Sequence, residues 1–284
     1  MGGPIPLETW EVAAAGGLVV LNAILSFRFR LGQETAWLIA GARTAAQLSL
    51  MGLVLHFIFG QEQLWLTALA ATIMLAFAGR EVMARQARRL PWWQGYGIGV
   101  GAMLFASFTV TILALNTVVR PDPWYAPWVA LPLLGMIMGN TMTGTALALN
   151  TLTETLYRDR RAIEARLALG HSFTDAARPA MRHAMRTGLM PIINAMSAAG
   201  VVSLPGMMTG QILAGADVGT ATRYQILIMF LIAGGTGLGV IAAAFGGSRL
   251  LSDNRDRLRL DRLSLLDDKS VAQSTGNTRE DDTR

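Results

Sequence analysis

The sequence predicts an all-α, polytopic membrane protein of about seven transmembrane helices, with its N-terminus outside and its C-terminus in the cytoplasm. Three observations carry that expectation. Apolar residues make up 52% of the 284-residue chain and charged residues only 15%, where a soluble domain carries about a quarter. Several apolar runs reach the roughly 20 residues that a helix needs to cross a bilayer. The third observation is where the 24 basic residues fall along the chain.

The first apolar run, Trp10 to Phe27, follows MGGPIPLETWEV. That start lacks the basic n-region of a secretory signal, so the run is expected to stay as a membrane helix. The second run, Ala36 to Phe59, contains Arg43 and Gln47. The third, Leu64 to Ala78, is short for a span and borrows from Arg80 to Val82. The fourth is Gly95 to Leu115; RPDPWYAPW follows at 120–128, with the prolines and aromatics of an interface belt. The fifth is Trp128 to Leu149, the sixth Gly188 to Leu213 and the seventh Gln225 to Gly246. Their abundant glycine and alanine permit close approach of helix backbones in lipid.

Seven spans place 21 of the 24 basic residues on one side, including seven arginines between Arg158 and Arg186. The opposite side holds Arg120 and Arg223, and Arg43 falls inside a span. Cytoplasmic loops collect such an excess. Residues 1–250 therefore read as the transmembrane domain, and 251–284 as a cytoplasmic amphipathic segment ending in the polar, disordered SVAQSTGNTREDDTR.

Composition also excludes chemistry. The chain has no cysteine, which removes disulfides and thiolate metal sites. Its histidines are His56, His171 and His183, too few for a His-rich zinc or copper site. The one lysine, Lys269, follows no glycine-rich loop, so the chain cannot be a P-loop ATPase by itself. No nucleic-acid partner is expected.

The stretch EARLALGHSFTDAARPAMRHAMR, 164–186, is charged and helix-prone between two apolar runs. RDRRAIEARLAL reads as a short helix ended by Gly170. Ser172 can cap a second helix, with Asp175 three residues on. Phe173, Ala177, Ala180 and Ala184 share one stripe; Arg178, Arg182 and Arg186 share another, and Pro179 is expected to kink the helix. The product, over about 158–187, is a helix–turn–helix elbow with Glu164 near its tip. It could lie on anionic headgroups through its arginines, or serve as a docking knob for a cytoplasmic protein.

Glu164, Ala165, Gly170 and Pro191 resemble the EAA loop of ABC-transporter permeases, with Arg166 standing where that motif has alanine. A longer stretch, SLPGMMTGQILAGADVGTATRYQILIMFLIAGG at 203–235, is similar to the signature of FetB-type permeases, and ARTAAQL holds counterparts of that family's arginine and glutamine. The resemblance covers roughly residues 10–250. It implies a multi-pass permease in the cell inner membrane, two copies working with two ATP-binding subunits. ATP and magnesium would sit on those partners, and no cofactor on this chain. Docking would fall to Glu164, Ala165, Arg166, Leu169, Gly170 and Ser172. The implied cargo is iron, moved outward; a link of related plant proteins to UDP-glucose makes a nucleotide sugar the alternative.

Two other classes compete. A secondary transporter would need an intramembrane carboxylate relay, and in the spans only Glu11 and Glu81 occur, near span ends. A scaffold or sensor would recruit a partner through the elbow and move no cargo.

The candidate pathway residues are Arg43, Gln47, Asn140, Pro205, Met207, Met208 and Gln211. A charge such as Arg43 costs about 3 kcal/mol in the bilayer. It is expected either to tie to a carbonyl or to a carboxylate such as Glu81, or to handle an anion. Pro205 and Gly206 interrupt an apolar run, as a packing kink or as a broken helix lining a cavity. Met207 and Met208 are weak metal candidates, with soft sulfur suited to Cu(I) and less to Fe(II), or simple gap-fillers.

Overall fold

A computed structural model of the protein describes residues 8–253 and 255–265. Apart from one two-residue ladder, those residues are helical or loop. Helix α1 (Thr9–Arg28) starts on a capping box between Glu8 and Glu11. Helix α2 (Glu34–Gln61) ends where Glu62 turns left-handed at φ 49°. Helix α3 (Leu64–Ala84) does run past Ala78, as the short third run required. The fourth run is one rod of 27 residues, Trp93–Val119. Within it α4 (Trp92–Met103) and α5 (Thr109–Ala114) are joined and followed by π turns at Leu104–Phe108 and Leu115–Val119.

Helix α6 (Pro127–Arg158) opens with proline near its N-terminus, where the missing N–H is not needed. Then come α7 (Arg160–Ala168), α8 (Phe173–Ala198), α9 (Gly206–Leu213) and α10 (Val218–Leu250). Among the described residues five helices are long and apolar enough to cross a membrane: Trp10–Arg28, Glu34–Gln61, Leu64–Ala84, Trp93–Val119 and Val218–Leu250. At 32 and 26 residues α6 and α8 have the length, but α6 is rich in threonine and asparagine and α8 begins with three arginines.

The sixth apolar run departs from the single span expected. Helix α8 begins in the charged segment, runs through Pro179 and Pro191, and stops at Ala198. Gly200 then turns at φ +83°, and Pro205 caps the eight-residue α9 in an extended conformation. The cause is local. Pro205 offers no N–H to a helix and steers Leu204 away from helical geometry.

Helices α6, α8 and α10 pack together at the centre, with α3 and α4 alongside; α1 packs on α2 at the edge. At the α6–α8 crossing a Cβ on Gly144 would lie 2.9 Å from the Gly188 carbonyl oxygen, and one on Gly188 would lie 2.7 Å from that of Gly144. Only glycine permits that approach. Beyond α10, Leu251 is buried and Leu258, Leu260 and Leu263 pack against Phe173, Ile163 and Leu156. Strand β1 (Arg88–Arg89) pairs antiparallel with β2 (Ser264–Leu265). The chain after Leu250 thus folds back onto the elbow's base, as loops, a 3-10 turn at Leu260–Arg262 and a strand. The polar end, SVAQSTGNTREDDTR, lies outside the described residues.

Candidate docking elbow and membrane cavity

The elbow forms where three backbone instructions meet. Asp159 breaks α6 from α7, Gly170 turns the chain at φ +90°, and Ser172 starts α8. The Ser172 Oγ accepts from the Asp175 amide at 3.2 Å, satisfying a free N–H of the first turn. A second cap comes from far along the chain: the Phe173 amide donates to Asp256 Oδ1 at 3.1 Å. Ile163 and Phe173 are buried and pin the two helices to the body.

All six expected docking residues gather on the exposed tip: Glu164, Ala165, Arg166, Leu169, Gly170 and Ser172. Leu169 is 80% exposed, an apolar side chain with no cover. Arg166, which replaces the motif's alanine, has a structural contact, since its Nη1 donates to the Ala176 carbonyl at 3.2 Å and ties α7 to α8. Glu164 faces a hollow of about 330 Å³ shared with Leu167, His171 and the 255–258 turn.

The pathway candidates divide into two groups. Arg43 on α2 meets Glu81 on α3, Nη2 to Oε1, at 2.6 Å, and Arg85 Nε lies 3.9 Å from the other carboxylate oxygen. Gln47 and Glu81 line one cavity of about 540 Å³ between α2, α3 and α6. Its remaining walls are apolar and include Met51, Met74, Met138 and Met142. Asn140 is not among its lining residues; its Nδ2 donates to the Met136 carbonyl at 2.9 Å. The second group belongs to α9, which packs on α10. There Pro205 is the cap, Met207 packs against an apolar cluster containing Val110, Ile192 and Ile228, Met208 is half-buried, and the Gln211 Oε1 is buried with no protein partner.

The structure therefore brings Arg43, Gln47 and Glu81 together, and keeps Pro205 to Gln211 on a different helix pair. Sequence reasoning missed the four-methionine wall. The chain has 15 methionines, and nothing in their spacing marks which four converge. Among the described residues no group of three or more His, Cys, Asp or Glu is placed to hold a metal.

Comparison with known proteins identifies the family. The model of the Uncharacterised protein family UPF0014 matches residues 9–251. A UPF0014 membrane protein of Synechocystis is 38% identical over 229 residues, covering 78% of this chain and 84% of its own length. Protein ALUMINUM SENSITIVE 3 of Arabidopsis thaliana is 32% identical, covering 82% of this chain and 83% of its own. The Probable iron export permease protein FetB of Escherichia coli is 29% identical over 253 residues, covering 89% of this chain and 95% of its own. No solved structure matches the chain. The resemblance to FetB-type permeases read from 203–235 is thereby borne out, and with its apolar helices this multi-pass chain belongs to the UPF0014 family of membrane proteins.

Proposed function

We propose that this chain is the permease subunit of an ABC-type exporter in the inner membrane, driven by a separate ATP-binding subunit that docks on the α7–α8 elbow. The observation that carries the reading is the tip itself. An exposed Leu169 beside Glu164, Ala165 and Gly170 projects from two buried anchors, Ile163 and Phe173. A lone exposed leucine needs no explanation. One held rigidly at a tip that matches a subunit-docking motif does.

In this reading seven segments cross the bilayer, α6 and α8–α9 among them, with the N-terminus outside. Two copies rock against each other in alternating access while the ATPases close and open. A firm elbow is needed to transmit that motion, and Asp256, Arg166 and the Leu258–Leu263 segment supply the bracing. The cargo is iron, moved outward, supported by the relative named as an iron export permease.

The test is co-purification of the tagged chain with its ATP-binding subunit. Glu164→Lys is expected to abolish stoichiometric recovery of the ATPase; unchanged recovery would remove the docking assignment. Vesicles holding the intact pair and ATP should move iron. If they hydrolyse ATP and move none, the cargo is wrong while the ABC assignment stands.

A further inference from the structure

The flank of the elbow carries a feature that the exposed tip does not account for. Helix α8 leaves the tip with Arg178, Arg182 and Arg186 one turn apart, and Arg166 of α7 and His171 of the turn close the near end. With Asp175, Pro179 and His183 they line an open pocket of about 650 Å³. Four guanidinium groups converge there and one carboxylate answers them.

Two of the four are already engaged. Arg178 Nη2 bonds Asp175 Oδ1 at 2.6 Å, and Arg166 donates to the Ala176 carbonyl at 3.2 Å. Among the described residues Arg182 and Arg186 have neither a hydrogen bond nor an ion pair. Like charges one turn apart repel weakly, and a bound anion would relieve that repulsion. A stripe of arginines along one helix would be an ordinary solvated face. Here a second helix and the turn contribute as well, making a pocket with an end wall. Guanidinium forks also suit one anion class above others. They pair with phosphate oxygens two at a time, which ammonium groups cannot do.

We propose that this pocket binds a phosphate group, gripped by Arg182 and Arg186 with Arg178 and Arg166 behind them. The phosphate belongs either to an anionic phospholipid headgroup or to a soluble phosphate-bearing molecule. Arg166 is shared with the docking tip, but the two arginines that grip the anion, Arg182 and Arg186, lie outside the docking set.

The experiment uses the full chain in nanodiscs of neutral phosphatidylcholine, with pyrophosphate as the probe in titration calorimetry. A parallel sample with added phosphatidylglycerol is examined by native mass spectrometry for retained lipid. Pyrophosphate binding that weakens at least tenfold in Arg182→Gln/Arg186→Gln supports the pocket with a soluble ligand. Absent pyrophosphate binding, with phosphatidylglycerol retained by the wild type and lost from the variant, supports it with a headgroup. Arg182→Lys/Arg186→Lys keeps the charge and loses the fork, and is expected to bind severalfold more weakly than wild type; it also reads the site if the glutamine variant folds poorly. Arg160→Gln/Arg161→Gln, outside the pocket, should bind normally. Neither ligand bound, or equal binding by wild type and both pocket variants, overturns the proposal.

Discussion

Arg43 carries a guanidinium within an apolar helix, about a third of the way along α2, where an unpaired charge costs up to about 3 kcal/mol. Its partner is Glu81 at 2.6 Å. Removing one member of such a pair is worse than removing both, because the survivor is left without compensation. Glu81→Gln is therefore expected to destabilise the folded chain by at most about 3 kcal/mol, the figure for an unpaired charge at a helix centre, since Glu81 lies in the last turn of α3. Arg43→Gln/Glu81→Gln should recover most of that loss. Thermal unfolding of the purified variants measures both. A Glu81→Gln chain as stable as wild type would deny the pair a structural role and leave Arg43 free for cargo. Arg166 makes a similar point on the elbow. The residue that departs from the docking motif is also the one bonded across to α8.

Helices meet here through their smallest residues. The Gly144–Gly188 crossing sets carbonyl against backbone, with a Cβ on Gly188 falling 2.7 Å from an oxygen that cannot move cheaply. Gly188→Ala is expected to cost about 1–3 kcal/mol, the range for overpacking a close-packed core. Gly237 on α10 offers the control, since nothing lies within 4 Å of its added Cβ. Gly237→Ala should be neutral or slightly stabilising, because alanine is the better helix former. Equal unfolding midpoints for the two variants would mean that α6 and α8 do not cross at these glycines. The same central trio decides how the elbow is held, since α6 and α8 are the helices that run out into it.

Across the whole molecule, the chain after α10 returns to brace the elbow that lies nearly a hundred residues earlier. Its turns are held by carboxylates. The Arg257 and Arg255 amides both donate to Asp253 at 2.9 Å, and those bonds hold its carboxyl below its ordinary value of 3.8. The Arg259 side chain does the same to Asp261, at 2.9 and 2.8 Å. A lowered folded-state value means the stabilisation is present above about pH 4 and is lost as pH falls through it. The brace should therefore stay closed from neutral pH down to about pH 4 and loosen below. With no native cysteine, spin labels on Arg161→Cys and Arg255→Cys report the distance directly. A separation that widens already between pH 7 and 5 would show that other groups control the segment.

What the sequence determined by itself was the local and the compositional. Low charge and long apolar runs required membrane helices, Gly170 and Ser172 required a turn and a cap, and the 203–235 string marked the family. Each of these depends on residues adjacent in the chain or on bulk counts, so no folded partner is needed to see it. The rest required distant segments to meet. The methionine wall shared by α2, α3 and α6 and the Asp256 cap on α8 depend on contacts between parts of the chain far apart in sequence. The pocket between Arg166 and Arg186 is the intermediate case. Its arginine stripe was legible from helical spacing, but only the fold of α7 against α8 made it a pocket.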